Sequence, residues 1–186
     1  MTAEELWKKT GIEGTYEAWS FGDAPDKLAE LVVQGIKTAT CSAYDLYQID
    51  HEPLPQAGDY SIILNSDEEA VCVIKTLKVY VTEFKNVSVE HAFKEGEGDR
   101  SLEYWRMVHE SFLINELASV HRTFTENTKV VCEEFEVLYR YDPLYEAGWN
   151  NTDTRKPPLR LAGRSGSCGK GTASALGNGI RERYIT

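Results

Sequence analysis

A single β-type run from Ala70 to Phe84 constrains this fold more than any other segment. It is far longer than the usual strand of about five to six residues, so a bulge or break is expected near Leu77. A shorter strand, residues 60–64, precedes it across the turn Asn65-Ser66-Asp67, and the two read as an antiparallel hairpin. A third run, Lys129 to Tyr141, alternates Val131, Phe135, Val137 and Tyr139 on one stripe.

Helical patterns fill the gaps. Residues 3–10 read as a short helix that buries Leu6 and Trp7. A second helix opens near Asp23-Ala24-Pro25, with Leu28, Leu31 and Val32 on one face and Gly35 at its C-terminal end. Residues 38–42 read as a strand and residues 52–59 as a Pro- and Gly-bearing loop. Residues 88–94 form a short helix. Asp99 or Ser101 then caps a long one to about Ser119, with Leu102, Trp105, Val108, Phe112 and Leu113 facing inward. The mixture predicts an α+β domain over residues 1–142.

Composition changes after Asp142. Residues 143–186 hold seven of the 14 glycines and follow neither a helical nor a strand period, so a flexible Gly-rich tail outside the fold is expected. The charge divides at the same place. The whole chain carries −10, but the tail holds seven basic and three acidic residues, leaving 13 basic and 27 acidic groups in residues 1–142. That surface argues against tight binding of duplex DNA, which rests on phosphate neutralisation. No apolar run is long enough to span a membrane. The N-terminal residues lack the basic and apolar regions of a signal peptide, so a cytoplasmic location is expected. Cys41, Cys72, Cys132 and Cys168 are widely spaced with no metal-ligand pattern and read as free thiols.

Three strings invite a chemical reading. The segment Gly163 to Thr172 looks like a phosphate-binding loop. It fails because its first required glycine falls at Arg164 and Gly171 follows the lysine. Glu95-Gly-Glu97-Gly-Asp99 places three carboxylates within five residues without the spacing of a calcium loop. It reads as a turn before a helix whose N-terminus favours acids. Gly35-Ile36-Lys37-Thr38-Ala39-Thr40 follows a helix and enters a strand. Lysine and threonine three positions apart can form a nucleophile and base, provided the chain bends between them.

Taken with Trp19-Ser20-Phe21-Gly22-Asp23, Glu52-Pro53-Leu54-Pro55, Gly58-Asp59-Tyr60, His91-Ala92 and the run from Glu95 through Trp105 to His109, the Gly35–Thr40 string resembles the bacterial ASCH-domain proteins over about residues 15–142, and the 143–186 tail has no counterpart in that pattern. The resemblance implies a PUA-like fold, a small mixed β-barrel with flanking helices, and a cleft lined by the Gly-x-Lys-Thr segment. It also implies RNA binding, ribonuclease action, or amidohydrolase action on N4-acylated cytidines. By its pattern the active residues are Lys37, Thr40 and Glu95. The substrate-binding residues expected around them are Trp19, Phe21, Thr38, Ser42, Tyr44, Arg100 and Ser101. RNA or a small nucleoside is the expected partner, and burial is expected to tune Lys37 as a base. No metal ligands are assigned and no cofactor is expected; a divalent cation such as Mn²⁺ or Mg²⁺ stays open, as does a non-catalytic RNA-binding or protein-interaction module.

Overall fold

The computed structural model describes residues 1–141. The tail over 143–186, the boundary at Asp142 and Cys168 lie outside the described residues.

Helix α1 (Ala3–Thr10) starts where the Thr2 hydroxyl accepts the Glu5 amide while the Glu5 carboxylate accepts the Thr2 amide. It buries Leu6 and Trp7, as the pattern predicts. Helix α2 (Pro25–Val33) carries its proline in the first turn, where a missing amide hydrogen costs nothing. Gly35, at φ +72°, turns the chain out of α2. The amides of Ile36 and Lys37 then both donate to the Leu31 carbonyl, which tucks this exit under the helix.

Five strands form one curled sheet, a half-barrel in the order β1-β3-β4-β5-β2. They are β1 (Glu17–Ser20), β2 (Ala39–Ala43), β3 (Tyr60–Leu64), β4 (Ala70–Glu83) and β5 (Lys129–Arg140). Only the β1–β3 pair is parallel, so the sheet is mixed. The predicted hairpin is β3–β4. The long run forms β4, and its register against β5 shifts between Thr76 and Lys78, leaving Leu77 half exposed at the irregularity.

Two short elements escape the sequence patterns. Strand β1 has four residues, too few to establish alternation, and is held by parallel pairing to β3. Helix α3 (Tyr44–Ile49) follows β2 directly, with no side-chain cap to mark its start. Beyond β4, a 3₁₀ turn (Phe84–Asn86) leads to α4 (Val89–Glu95) and α5 (Leu102–Ser119), capped by Ser88 and Ser101. The inward stripe of α5 is Trp105, His109, Leu113 and Leu117, one helical turn apart. Val108 and Phe112, expected on that stripe, are only partly buried at its flank.

Helices cover both faces of the sheet. On one face α4 and α5 pack Ala92, Trp105, Leu113 and Leu117 against Cys41, Ala43 and Cys132. On the other, α2 packs Leu28 and Val32 over Trp19, Ile63, Ile74 and Phe135. Cys41, Cys72 and Cys132 are buried thiols outside any disulfide among the described residues. Among the described residues, no helix is long and apolar enough to cross a membrane.

Candidate functional site

Lys37 sits just ahead of β2, between the exit of α2 and the C-terminal end of α4. The amide of Thr38 donates to the Lys94 carbonyl at 2.7 Å, and the Thr38 hydroxyl reaches the same oxygen at 3.4 Å. Gly96 makes this approach possible. Its φ of +77° suits glycine, and a Cβ there would lie 2.6 Å from the Ile36 carbonyl oxygen. The two backbones therefore touch where the charged side chains meet.

The Lys37 ammonium donates to Glu95 Oε2 at 2.6 Å and to Glu97 Oε1 at 3.0 Å. It also lies 5.3 Å from the centre of the Phe21 ring. Lys37 and Glu95 are wholly buried, while Glu97 is 13% exposed and marks the side nearest solvent. The second Glu95 oxygen accepts from Trp105 Nε1 at 3.0 Å and lies 3.2 Å from His91 Nε2 and 3.4 Å from His109 Nε2. His109 is turned by its other nitrogen, Nδ1, which lies 2.9 Å from the Trp105 carbonyl. Each of these contacts joins residues four or more positions apart. His91 and Glu95 share one face of α4, and Trp105 and His109 share one face of α5.

Burial alone would strip Lys37 of its proton, but the two carboxylates outweigh it and hold the group above the usual lysine range. Burial likewise opposes charge on Glu95, yet Lys37 and then His109 hold its carboxyl well below the ordinary range. The resting pair is ammonium and carboxylate. This reverses one expectation: Lys37 is fully desolvated, but its environment makes it a cation rather than a base. The chemistry open to the pair is then proton acceptance by Glu95 and electrostatic stabilisation by Lys37.

Thr40 is buried within β2, opposite Glu133 of β5. Strand alternation directs it to the face opposite Cys41. Ser42 shares the Thr40 face, and its hydroxyl pairs with that of Tyr47 at 2.9 Å. Trp19 and Phe21 are 1% exposed and pack edge to face in the core under α2, and Phe21 meets the site through the Lys37 ammonium. Tyr44 follows the far end of β2, under the Lys129 ammonium. That end is roughly 20 Å along the chain from Lys37, at about 3.3 Å per residue. Arg100, at φ +62°, stacks its guanidinium over Phe93, and Ser101 caps α5 by accepting the Tyr104 amide. The structure thus joins Lys37, Phe21, Thr38 and Glu95 in one locus, and gives Tyr44, Arg100 and Ser101 local partners.

One group of metal-ligand type stands out among the described residues. Donor atoms of Cys41, Glu95 and His109 lie within 4.8 Å of one another. The Lys37 ammonium already neutralises Glu95, and the carboxylate oxygen and the His109 ring are engaged in the contacts above. A divalent ion would have to displace that cation, so the arrangement fits an ion-pair site better than a metal centre.

Residues 17–139 match the ASCH domain family. The chain is an ASCH domain protein. The ASCH domain of Lactobacillus crispatus JV V101, known from a crystal structure, superposes with a TM-score of 0.67 at 28% identity over 74% of this chain and 94% of that one. A protein from Enterococcus faecalis V583, described under a family of unknown function, superposes with a TM-score of 0.70 at 35% identity over 78% of this chain and 93% of that one. No curated protein matches the chain. The ASCH domain here accordingly has the α+β, PUA-like architecture expected, with the curled mixed sheet and flanking helices.

Sequence reasoning passed over four contributors to this ASCH site: His91, Trp105, His109 and Glu97. The first three carried a signal in the four-residue spacings of His91 with Glu95 and of Trp105 with His109, which place polar rings on buried helix faces.

Proposed function

We propose that this ASCH domain hydrolyses the amide of a small modified nucleoside of the N4-acylcytidine type, using the Lys37–Glu95 pair. The observation that carries the reading is the buried Lys37–Glu95 pair, fixed by contacts from three helices and the entrance to β2. In this reading the Glu95 carboxylate takes a proton from an attacking water at the Lys37–Glu95 pair, and Lys37 stabilises the oxyanion that forms on the acyl carbon. The same proton passes from Glu95 to the departing amine as the carbon–nitrogen bond breaks, which leaves the acyl group as its free acid. The acidic balance of residues 1–142 suits a neutral nucleoside better than a long polyanion.

The complete burial of the pair favours a second reading, in which it is a structural clasp inside a non-catalytic RNA-binding or protein-interaction module. The test is incubation of the full chain with N4-acetylcytidine and, separately, with single-stranded RNA, each with and without Mn²⁺. Lys37→Ala, Thr40→Ala and Glu95→Gln are run beside the wild type. Cytidine release lost in Lys37→Ala and Glu95→Gln supports the amidohydrolase, and its survival in Thr40→Ala identifies water as the nucleophile. RNA fragments that disappear in the variants redirect the reading to a ribonuclease. No turnover of either substrate by a folded wild type removes the hydrolase reading.

A further inference from the structure

The Lys37 ammonium has three N–H donors, and its surroundings occupy all of them. It meets Glu95 Oε2 at 2.6 Å and Glu97 Oε1 at 3.0 Å. Its remaining side lies against the Phe21 ring, 5.3 Å from the ring centre. No donor is left for an oxygen that arrives from outside. Such an oxygen can reach Lys37 only where one of these partners gives way.

The two carboxylates are held very differently. Glu95 is wholly buried, and Trp105 and two histidines crowd its second oxygen. Glu97 reaches solvent, and Lys37 is its one side-chain partner among the described residues. Its Oε2 takes no hydrogen bond and is not sealed from solvent. The backbone around Glu97, by contrast, is pinned. A Cβ at Gly96 would strike the Ile36 carbonyl, and one at Gly98 would lie 2.5 Å from the Tyr104 ring. The Glu97 carbonyl accepts the Arg100 amide at 2.8 Å. Glu97 can therefore leave Lys37 by rotating its side chain, with no movement of the loop.

The end of this side chain matches an acetamide group atom for atom. Cγ stands for the methyl, Cδ for the carbonyl carbon, Oε1 for the carbonyl oxygen and Oε2 for the amide nitrogen. Oε2 is the atom open to solvent, so whatever the nitrogen carries would lie outside the protein. The path to Lys37 needs to admit only an acyl group, and the Glu97 side chain is what fills it.

We propose that the Glu97 Oε1 position on Lys37 is the acyl-oxygen seat of the site, occupied at rest by the protein's own carboxylate, which the amide of the substrate displaces. The seat rests on the amidohydrolase reading above and adds Glu97 to it as a specificity-determining residue. Charge favours the exchange. With Glu97 in place, two carboxylates share one ammonium, and their excess negative charge opposes an oxyanion. With Glu97 turned out, the Lys37–Glu95 pair is neutral and the released N–H faces the acyl oxygen. Size sets the selectivity: an acetyl group fits the space that Glu97 vacates, and a branched or aromatic acyl group does not.

The experiment probes the seat with acetate, which resembles the Glu97 carboxylate and needs no turnover. Thermal unfolding of full-length wild type, Glu97→Ala and Glu97→Gln is followed across sodium acetate, with sodium chloride and sodium trimethylacetate at equal ionic strength. Acetate should raise the Tm of Glu97→Ala saturably, by about 3 °C or more over chloride, and that of wild type by less than about 1 °C. Trimethylacetate, too broad for the space, should give neither shift. Glu97→Gln holds Lys37 through a weaker, neutral hydrogen bond and should also yield to acetate, so it carries this arm where Glu97→Ala fails to fold. Initial rates with N4-acetylcytidine are taken in parallel, and KM should fall about fivefold in Glu97→Gln because the seat is easier to clear. No acetate shift in a folded variant, or an equal shift with trimethylacetate, overturns the seat. A KM that stays or rises in Glu97→Gln does the same. An acetate shift without any hydrolysis by wild type sinks the hydrolase and leaves the seat standing as a small-carboxylate site. Hydrolysis with no acetate shift in either variant sinks the seat and leaves the hydrolase.

Discussion

Replacing Glu133 by Gln should stabilise this protein, and by an amount that grows with pH. The folded protein holds the Glu133 carboxyl at about 8, against an ordinary value of 4.5. Below the ordinary value both folded and unfolded chains carry the proton, and the group contributes its full share to stability. As pH rises from there, the unfolded chain ionises while the folded one does not, so stability is lost steadily until the folded group ionises too. At about 1.4 kcal/mol per pH unit, the interval from 4.5 to about 8 amounts to a loss on the order of 5 kcal/mol. Glutamine has nearly the same shape, stays neutral, and escapes that loss. Urea unfolding of wild type and Glu133→Gln at about pH 5, 6.5, 8 and 9 isolates the effect, because the other titrating groups cancel in the difference. The difference should be small at the first pH, widen at roughly the slope above, and flatten beyond the Glu133 value. A difference that does not change with pH would refute the reasoning, since it would mean that Glu133 ionises alike in both states.

Other consequences concern the Lys37 locus. Lys37→Met strands the Glu95 carboxylate inside the protein and should cost about 3–5 kcal/mol in urea unfolding, much of it recovered in Lys37→Met/Glu95→Gln. Unrecovered loss in the double variant would point to packing rather than charge. Gly96→Ala forces a Cβ to 2.6 Å from the Ile36 carbonyl oxygen at a left-handed φ. It should lower stability by about 1–3 kcal/mol, read as a drop in Tm, and an unchanged Tm would show that the contact yields freely. The depressed Glu95 value contributes stability that is present above 4.5 and lost as pH falls through the folded value. Below 4.5 the stability of wild type should therefore fall more steeply with acid than that of Glu95→Gln, which lacks this component, in urea unfolding repeated across the acid range.

Much of the scaffold was legible because its signals are local. The alternation in residues 60–64 and 129–141, the Pro25 and Gly35 boundaries, and the serine caps at 88 and 101 all describe single elements. The break near Leu77 was visible because the run outlasts an ordinary strand. Strand β1 was not legible, since it exists through its parallel partner rather than its own pattern. The site was half legible. Lys37 and Glu95 came from a family resemblance, and no spacing rule could bring residues 58 positions apart into contact. Glu133 did carry a signal: it falls on the same stripe of β5 as Val131 and Phe135, and an acid on a buried stripe is a polar group that must be accounted for. The pKa directions depend on which charges converge from other elements, which a linear pattern does not contain.

The separation of 58 residues between Lys37 and Glu95 has a kinetic side. Their contact closes a loop that includes β2, α3, β3 and β4, so the chain must already be assembled on either side before the two charges meet. An interaction made that late is expected to be missing from the folding transition state, so that its energy acts on the unfolding barrier. Loosening it should leave the refolding arm of a chevron plot in place and lift the unfolding arm. The pair then acts as a latch on a finished molecule, setting how long the native state lasts rather than how fast it forms.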